Sequence, residues 1–402
     1  MTENATRPAF PTQRPSGCPF DPASGYAALR DREAPSKVST PAGVDAWVVS
    51  RYNDVRTVLR DPALSSRSAP SDHVIAAVEL DREVESGSIL QVDGLAHRRL
   101  RRVLATEFAV KRMEAYRPRV AKLIDEHIDA MLAHGGPIDL VEAFALPIPS
   151  LVICELLGVP YEDRAEFQER SAVLVSIDAD PDEVTRVADA LNQYMAGLVM
   201  AKQADRADDM LSRVITRGEE LGENLTIPEL VTIGITLLIA GHETTANMIA
   251  LSTLALLREP GQLEALRAKP ELAATAVEEL LRYLSVIQFG LFRHVTDDIP
   301  SGAATIEAGD YLVAALSAAN WDAEVFENPG ELDVARQGSA HVAFGFGPHQ
   351  CLGQQLARVE LQEVFTRLYA RIPTLRLAVP FDEIKFKDNS LVYGVQALPV
   401  TW

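Results

Sequence analysis

The sequence predicts a mainly α fold with a minor β subregion, and three observations lead there. Helical periodicity runs almost unbroken from residue 93 to about residue 285. Strand-like stretches are short and confined to the segments after Tyr26, at 293–315 and at 384–402. One helix, opened by a capping box at Thr226 and stopped by Glu259-Pro260, is long enough to cross the whole molecule.

A chain of 402 residues that is 47% hydrophobic and 24% charged can bury a large core. Residues 1–20 are rich in Pro, Thr and Ser and read as an extended arm laid over the surface, with 21–402 as a single domain. The chain shows neither a secretory signal pattern nor an apolar run long enough to span a bilayer, so a soluble cytoplasmic monomer is expected. The three cysteines, Cys18, Cys154 and Cys351, fit neither a disulfide framework nor a paired zinc site. A net charge of −19 argues against nucleic acid as a partner.

Along the chain, Ala46-Trp-Val-Val reads as a strand, and 54–60 as a short helix that ends before Asp61-Pro62. The stretch 65–92 lacks periodicity and is expected to be a long mobile connection. Arg98, Arg99, Arg101, Arg102, Lys111 and Arg112 cluster in an acidic chain and predict a basic face. The segment 175–185 reads as a turn-rich interruption, a candidate substrate lid.

The long helix is apolar on nearly every face through Ala240, then presents Gly241-His-Glu-Thr-Thr245. Polar groups buried in mid-helix cost free energy unless something satisfies them, so a cavity or ligand is expected alongside. Gly241 would let a flat ligand approach the backbone. Farther on, Phe344-Gly-Phe-Gly347-Pro-His-Gln-Cys351-Leu-Gly353 is a glycine-rich loop that delivers one thiol to the start of a helix. Amides and dipole there favour the thiolate, the form that binds metal. Cys154, within Leu151-Val-Ile-Cys-Glu-Leu, reads as an inert core residue.

The spacing Phe-x-x-Gly-x-x-x-Cys-x-Gly at 344–353 resembles the haem-binding loop of cytochromes P450. Ala240-Gly-His-Glu-Thr-Thr245 is similar to their oxygen-activating helix and Glu279-Leu-Leu-Arg282 to their Glu-x-x-Arg helix. Phe326-x-x-Pro329 with Asp333 and Arg336 resembles the segment that completes an ion network. The four motifs occur in the family's order. The resemblance implies a bacterial, actinobacterial-type soluble cytochrome P450, with the long central helix lying over haem b (iron protoporphyrin IX).

The resemblance also implies residue roles. Cys351 would be the proximal ligand of the iron, its thiolate favouring O–O cleavage. Glu243 and Thr244 would form an acid–alcohol pair that supplies protons during oxygen activation; a structural Thr244 bonded to the Ala240 carbonyl is the rival role. His97, Arg101, Arg293 and His349 would hold the haem propionates, with Ala240, Gly241, Phe344 and Gly353 also against the cofactor. Glu279, Arg282 and Arg336 would form a buried network supporting the cysteine loop, and His341 would be structural.

Substrate walls are expected from 70–90, Ile239, Ile287, Gln288, Phe289 and Val392, which implies a hydrophobic substrate of medium or large size. Departures from the family pattern are Trp321, where Arg is usual, and Asp93-Gly-Leu-Ala before His97. The implied reaction is O2-dependent hydroxylation, epoxidation or demethylation of a secondary metabolite or xenobiotic. Electrons would come from a ferredoxin and ferredoxin reductase docking on the basic face. The alternatives are a haem-thiolate peroxygenase or oxidative coupling enzyme, and a haem sensor without turnover.

Overall fold

A computed structural model describes residues 7–402 except 16, 33, 68–86, 161–162, 164–169, 171–172, 177–178, 302–303 and 339. The segment expected to connect residues 65 and 92 therefore lies mostly outside the described residues. The first part of the chain forms α1 (Gly25–Arg30), β1 (Ser36–Ser39), β2 (Asp45–Val49), α2 (Tyr52–Val58) and β3 (Leu64–Ser65). Alternation makes the strands: Ala46 and Val48 turn into the core while Trp47 faces outward and donates its indole N–H to Asp310 at 2.8 Å.

A helical stretch follows, with α3 (Gly94–Leu104), α4 (Val110–His134), β4 (Ile138–Asp139), a π-helical turn at Val141–Ala145, α5 (Pro147–Leu157), α6 (Pro181–Ala204) and α7 (Met210–Glu220). Next come α8 (Ile227–Arg258), α9 (Pro260–Ala268) and α10 (Ala273–Leu284). The remainder holds β5 (Leu291–Val295), β6 (Ile299–Ser301), β7 (Ala304–Ile306), β8 (Tyr311–Ala314), α11 (Leu316–Ala319), α12 (Gln354–Arg371), β9 (Arg376–Leu377) and β10 (Pro399–Thr401).

The main sheet has the order β1-β2-β8-β5-β3. β2 runs parallel to β8, with Ala46 opposite Tyr311; β5 pairs antiparallel with β8, with Leu291 opposite Ala314. A three-stranded sheet β4-β10-β9 and the hairpin β6-β7 complete the β part. The expected mainly α class with minor β holds.

The central helix α8 starts as its sequence dictates. Thr226 Oγ1 accepts from the Glu229 amide and Glu229 Oε2 accepts from the Thr226 amide at 2.8 Å, a complete capping box. Its flanks Leu230, Leu238, Ile249 and Leu254 share one core with Ile124 of α4, Ile153 of α5, Leu191 of α6 and Leu361 of α12. Each such side chain contributes about 1.5–3 kcal/mol of burial.

Three local expectations need correction. A Cβ on Gly241 would lie 2.8 Å from Ile153 Cγ1, so the missing side chain lets α5 approach the central helix closely and is not turned to a ligand. The segment 175–185 is only partly a turn, because Asp180 caps α6 by accepting from the Asp182 and Glu183 amides at 2.9 and 3.2 Å. The N-terminal arm is not merely laid on the surface. Phe10 and Phe20 are buried, and backbone bonds from Phe10 N to Ser39 O (2.9 Å) and from Ser39 N to Pro8 O (3.0 Å) add the arm to the β1 edge.

Candidate active site

The cysteine loop is shaped by two tight turns. Gly345 N donates to Val342 O at 2.8 Å and Gln350 N to Gly347 O at 3.1 Å, with Gly345 and Gly347 in left-handed backbone (φ 68° and 77°). Cys351 N then donates to the Phe344 carbonyl at 2.8 Å, which closes the loop and brings the thiol to the start of α12. The amides of Gly353 and Gln354 bond the sulfur. Burial nevertheless pushes the Cys351 thiol up, and those amides with Arg101 and Arg358 do not offset it. The helix start therefore does not by itself hold a thiolate, as the sequence had suggested. A coordinating cation is what deprotonates such a thiol.

Two charge clusters brace this loop. In the first, Arg282 donates from Nε and Nη2 to Glu279, both at 2.7 Å, and from Nη1 to the carbonyls of Asn320 (2.9 Å) and Pro329 (2.8 Å). Arg336 Nε lies 3.0 Å from Glu279 Oε2. Glu279 and Arg282 are fully buried, and Asn320 Oδ1 accepts from the Val342 amide at 2.8 Å, which links the pair to the first residue of the loop turn. In the second cluster, Glu278 takes a bidentate grip from Arg358 at 2.6 and 2.9 Å and pairs with His341 Nε2 at 3.1 Å. Arg358 stacks over the Phe344 ring at 4.7 Å. Burial pushes the Glu278 carboxyl up, but His341 and Arg358 outweigh it and bring it to about 2. Glu278 was not singled out from sequence, because a carboxylate next to Glu279 on a helix carries no signal of its own.

Trp321, unexplained by sequence, donates its indole N–H to the Tyr283 carbonyl at 3.0 Å and stacks on that ring at 5.3 Å. A guanidinium does stand nearby: Arg30 Nη1 donates to the carbonyls of Ala318 and Trp321 at 3.0 and 2.9 Å.

Four basic side chains gather beside the loop. His97 is buried and its Nε2 has no hydrogen-bond partner among the described residues; its ring centroid lies 4.0 Å from that of His349. Burial, then His349 and Arg101, lower the His97 pKa to about 4. Burial likewise lowers Arg101 and Arg293; Asp93 opposes it at Arg293, and Cys351, once its sulfur is charged, at Arg101. His349 also sits below its ordinary value through burial, although Asp93 Oδ1, 3.1 Å from its Nε2, pulls the other way. Desolvated cations and an orphaned imidazole nitrogen in one place suit a ligand carrying carboxylates, as haem does. Asp93 also accepts from Ser65 Oγ at 2.6 Å and from the Ser66 amide. It touches this group directly through His349.

In mid-helix, Ala240 is exposed and Ile239 half-buried on a rod that is otherwise largely enclosed. Thr244 Oγ1 donates to the Ala240 carbonyl at 2.9 Å, the structural bond weighed from sequence. Glu243 is buried, 3.3 Å from His242 Nε2, and accepts from Asn247 Nδ2 at 3.4 Å. Burial pushes the Glu243 carboxyl up, but the hydrogen bond and charge of His242, with Lys387 and Asn247, leave it below its ordinary value.

Of the expected pocket walls, Ile287 and Val392 meet as an isolated bridge. Gln288 donates from Nε2 to the Asp388 carbonyl at 2.9 Å, and its buried Oε1 has no partner among the described residues. Phe289 is committed elsewhere, packing 6.5 Å from the Phe10 ring in a core with Tyr26 and Val313, so it is not free for a pocket wall. Most of 70–90 lies outside the described residues.

The basic face is thinner than its composition suggests. Arg99 pairs with Glu223 at 3.2 Å and Glu229 at 3.3 Å, Arg102 with Glu223, and Arg112 with Glu107 at 3.5 Å. Arg98, Arg102, Lys111 and Arg112 remain exposed, beside an 890 Å³ cleft lined by His97, Arg98, Arg101, Arg102 and Pro348. Among the described residues no helix is long and apolar enough to cross a membrane.

Comparison with known proteins matches residues 267–392 to the family model described as cytochrome P450. Cytochrome P450-SU2 of Streptomyces griseolus is 48% identical, over 98% of this chain and 96% of the relative. Pentalenic acid synthase of Streptomyces avermitilis is 44% identical over the full length of both. The crystal structure of CYP105P1 in complex with filipin I superposes with a TM-score of 0.92 at 42% identity, covering 98% of this chain and 99% of that one.

Proposed function

The chain belongs to the cytochrome P450 family and is a haem-dependent monooxygenase, and on that premise we propose that it hydroxylates, epoxidises or demethylates a hydrophobic secondary metabolite or xenobiotic, using electrons from a ferredoxin and its reductase. The observation that carries this reading is Glu243, a buried carboxyl held toward its charged form beside Thr244 in the middle of the central helix. A charged carboxylate in that place suits chemistry that consumes protons next to the helix.

Haem, held by Cys351, supplies the activation of O2. The protein's own residues do the rest. His97, Arg101, Arg293 and His349 bind the carboxylates of the cofactor and fix its orientation. Thr244 keeps its hydroxyl at the Ala240 carbonyl, where it relays a proton from Glu243. His242 and Asn247 hold Glu243 in place and in its charged form. Ile239, Ile287 and Val392 give apolar walls that bind a hydrophobic substrate and exclude water, and the orphaned Gln288 Oε1 offers one acceptor to a substrate hydroxyl or amide. The relatives named for pentalenic acid synthesis and the structure holding filipin support a terpenoid or polyketide substrate. The exposed Arg98, Arg102, Lys111 and Arg112 steer an acidic ferredoxin to a chain that is otherwise strongly negative.

The test is turnover of terpenoids and polyketides with ferredoxin, reductase, NADPH and isotopically labelled O2. One labelled oxygen atom entering at least one compound, only when the electron donors are present, is the expected result. No oxygenation, or equal oxygenation by hydrogen peroxide without the donors, would overturn the reading. For the partner, charge reversal at Arg102 or Arg112 should slow first-electron transfer and flatten its salt dependence; an unchanged rate would remove this face from the account.

A further inference from the structure

Arg14 of the N-terminal arm reaches across to the end of α10. Its Nη1 donates to the carbonyls of Phe20 (3.1 Å), Asp21 (3.4 Å) and Leu284 (3.5 Å), and Nη2 to those of Leu284 (3.4 Å) and Ser285 (3.3 Å). The same guanidinium lies over the Tyr393 ring, 4.0 Å from its centroid. At the end of α10 Ser285, in left-handed backbone (φ 41°), serves the Leu281 and Arg282 carbonyls and Trp321 serves that of Tyr283, while Arg14 supplies donors to those of Leu284 and Ser285.

Both targets sit at the roots of one small β bridge. Past Ser285 the chain runs into 286–288, and past Val392 comes Tyr393. Tyr393 N donates to Val286 O at 2.8 Å, Gln288 N to Leu391 O at 3.2 Å, and Ile287 pairs with Val392. On the far side of Tyr393, Gly394 presses against the central helix: a Cβ there would overlap Asn247, the residue that bonds Glu243. A planar cation that caps the helix with one edge and stacks with its face sets the distance between the two segments.

We propose that Arg14 is a positioning residue that fixes the substrate-pocket wall built by 286–288 and 391–394, and so determines how tightly a bulky ligand is held. The proposal rests on the reading that Ile287 and Val392 line that pocket. Loss of Arg14 releases the arm and the Tyr393 turn together. The wall then moves relative to the central helix, while the cysteine loop keeps its braces at Glu278 and Glu279 and touches Ser285 through Asn320.

Two iron-ligating azoles separate these effects in the haem-loaded protein. Imidazole is too small to reach beyond the iron, whereas clotrimazole carries three aryl rings into the pocket, and both are titrated by the Soret shift. Arg14→Ala and Arg14→Gln should weaken clotrimazole about tenfold while leaving imidazole and the carbon-monoxide spectrum unchanged, with Arg14→Lys in between because it keeps the charge but not the fork. Val392→Ala is measured beside them as the direct probe of the wall. If Val392→Ala changes clotrimazole binding and neither Arg14→Ala nor Arg14→Gln does, Arg14 does not position the wall. If none of the three matters, the pocket reading itself is wrong and the proposal falls with it. If the Arg14 variants weaken both azoles equally, or lose haem, Arg14 is a general stabilising residue and the proposal is overturned.

Discussion

The ring Nε2 of His349 lies 3.1 Å from the Asp93 carboxylate, across 256 residues of sequence. A carboxylate can only accept, so Nε2 donates, and Nδ1 binds a cofactor carboxylate only as the imidazolium, the form that Asp93 favours. Asp93 is held in turn by Ser65 and Ser66, so β3, the start of α3 and the cysteine loop meet at one carboxylate.

Asp93→Asn should therefore loosen the haem site without unfolding the protein. Outer partners of cofactor-binding groups commonly contribute about 10- to 100-fold to retention. Haem transfer to an acceptor apoprotein should be about tenfold faster in Asp93→Asn than in the wild type; equal rates would show that His349 needs no partner.

Glu243→Gln removes the carboxylate, held charged by His242 and Asn247, that takes up and passes on protons. Product formation should fall about 100-fold, a typical loss for a general acid, with the carbon-monoxide spectrum intact. Thr244→Ala should keep consuming NADPH but release hydrogen peroxide in place of product. Full product yield from either variant would take the pair out of the mechanism.

Glu278 predicts an acid limb in stability. Its carboxyl sits at about 2 when folded against an ordinary 4.5, so its contribution is complete above pH 4.5 and fades as pH falls toward 2. The contribution is about 3–4 kcal/mol before screening of its part-exposed side chain and about 2–3 kcal/mol after it. Urea unfolding at a series of pH values below 4.5 should show a shallower loss of stability on acidification for Glu278→Gln than for the wild type. Parallel curves would contradict the assignment.

What could be read from sequence was what the chain encodes locally. The capping box of the central helix, the turn glycines before Cys351 and the Glu279–Arg282 pair each lie within a few residues, where periodicity and spacing carry the signal. What could not be read depends on contacts across the chain. Gly241 looked like a ligand contact because its sequence neighbours are polar, but its missing side chain faces Ile153 on another helix. The family resemblance implied Phe289 as a pocket wall, but Phe10 of the arm takes it into a different core. Asp93, Glu278 and Arg14 act on partners far along the sequence, so no spacing announces them. The thiol went the other way: its neighbours were legible, but the cost of burying it was not.

The central claim is that Cys351 binds the haem iron as a thiolate, and the direct measurement is the difference spectrum of the dithionite-reduced protein with carbon monoxide, beside that of Cys351→Ser. The account predicts the strongly red-shifted Soret band of a thiolate-ligated adduct in the wild type and its loss in the variant. The same band in both proteins, or a wild-type band at the position given by a nitrogen ligand, would contradict it.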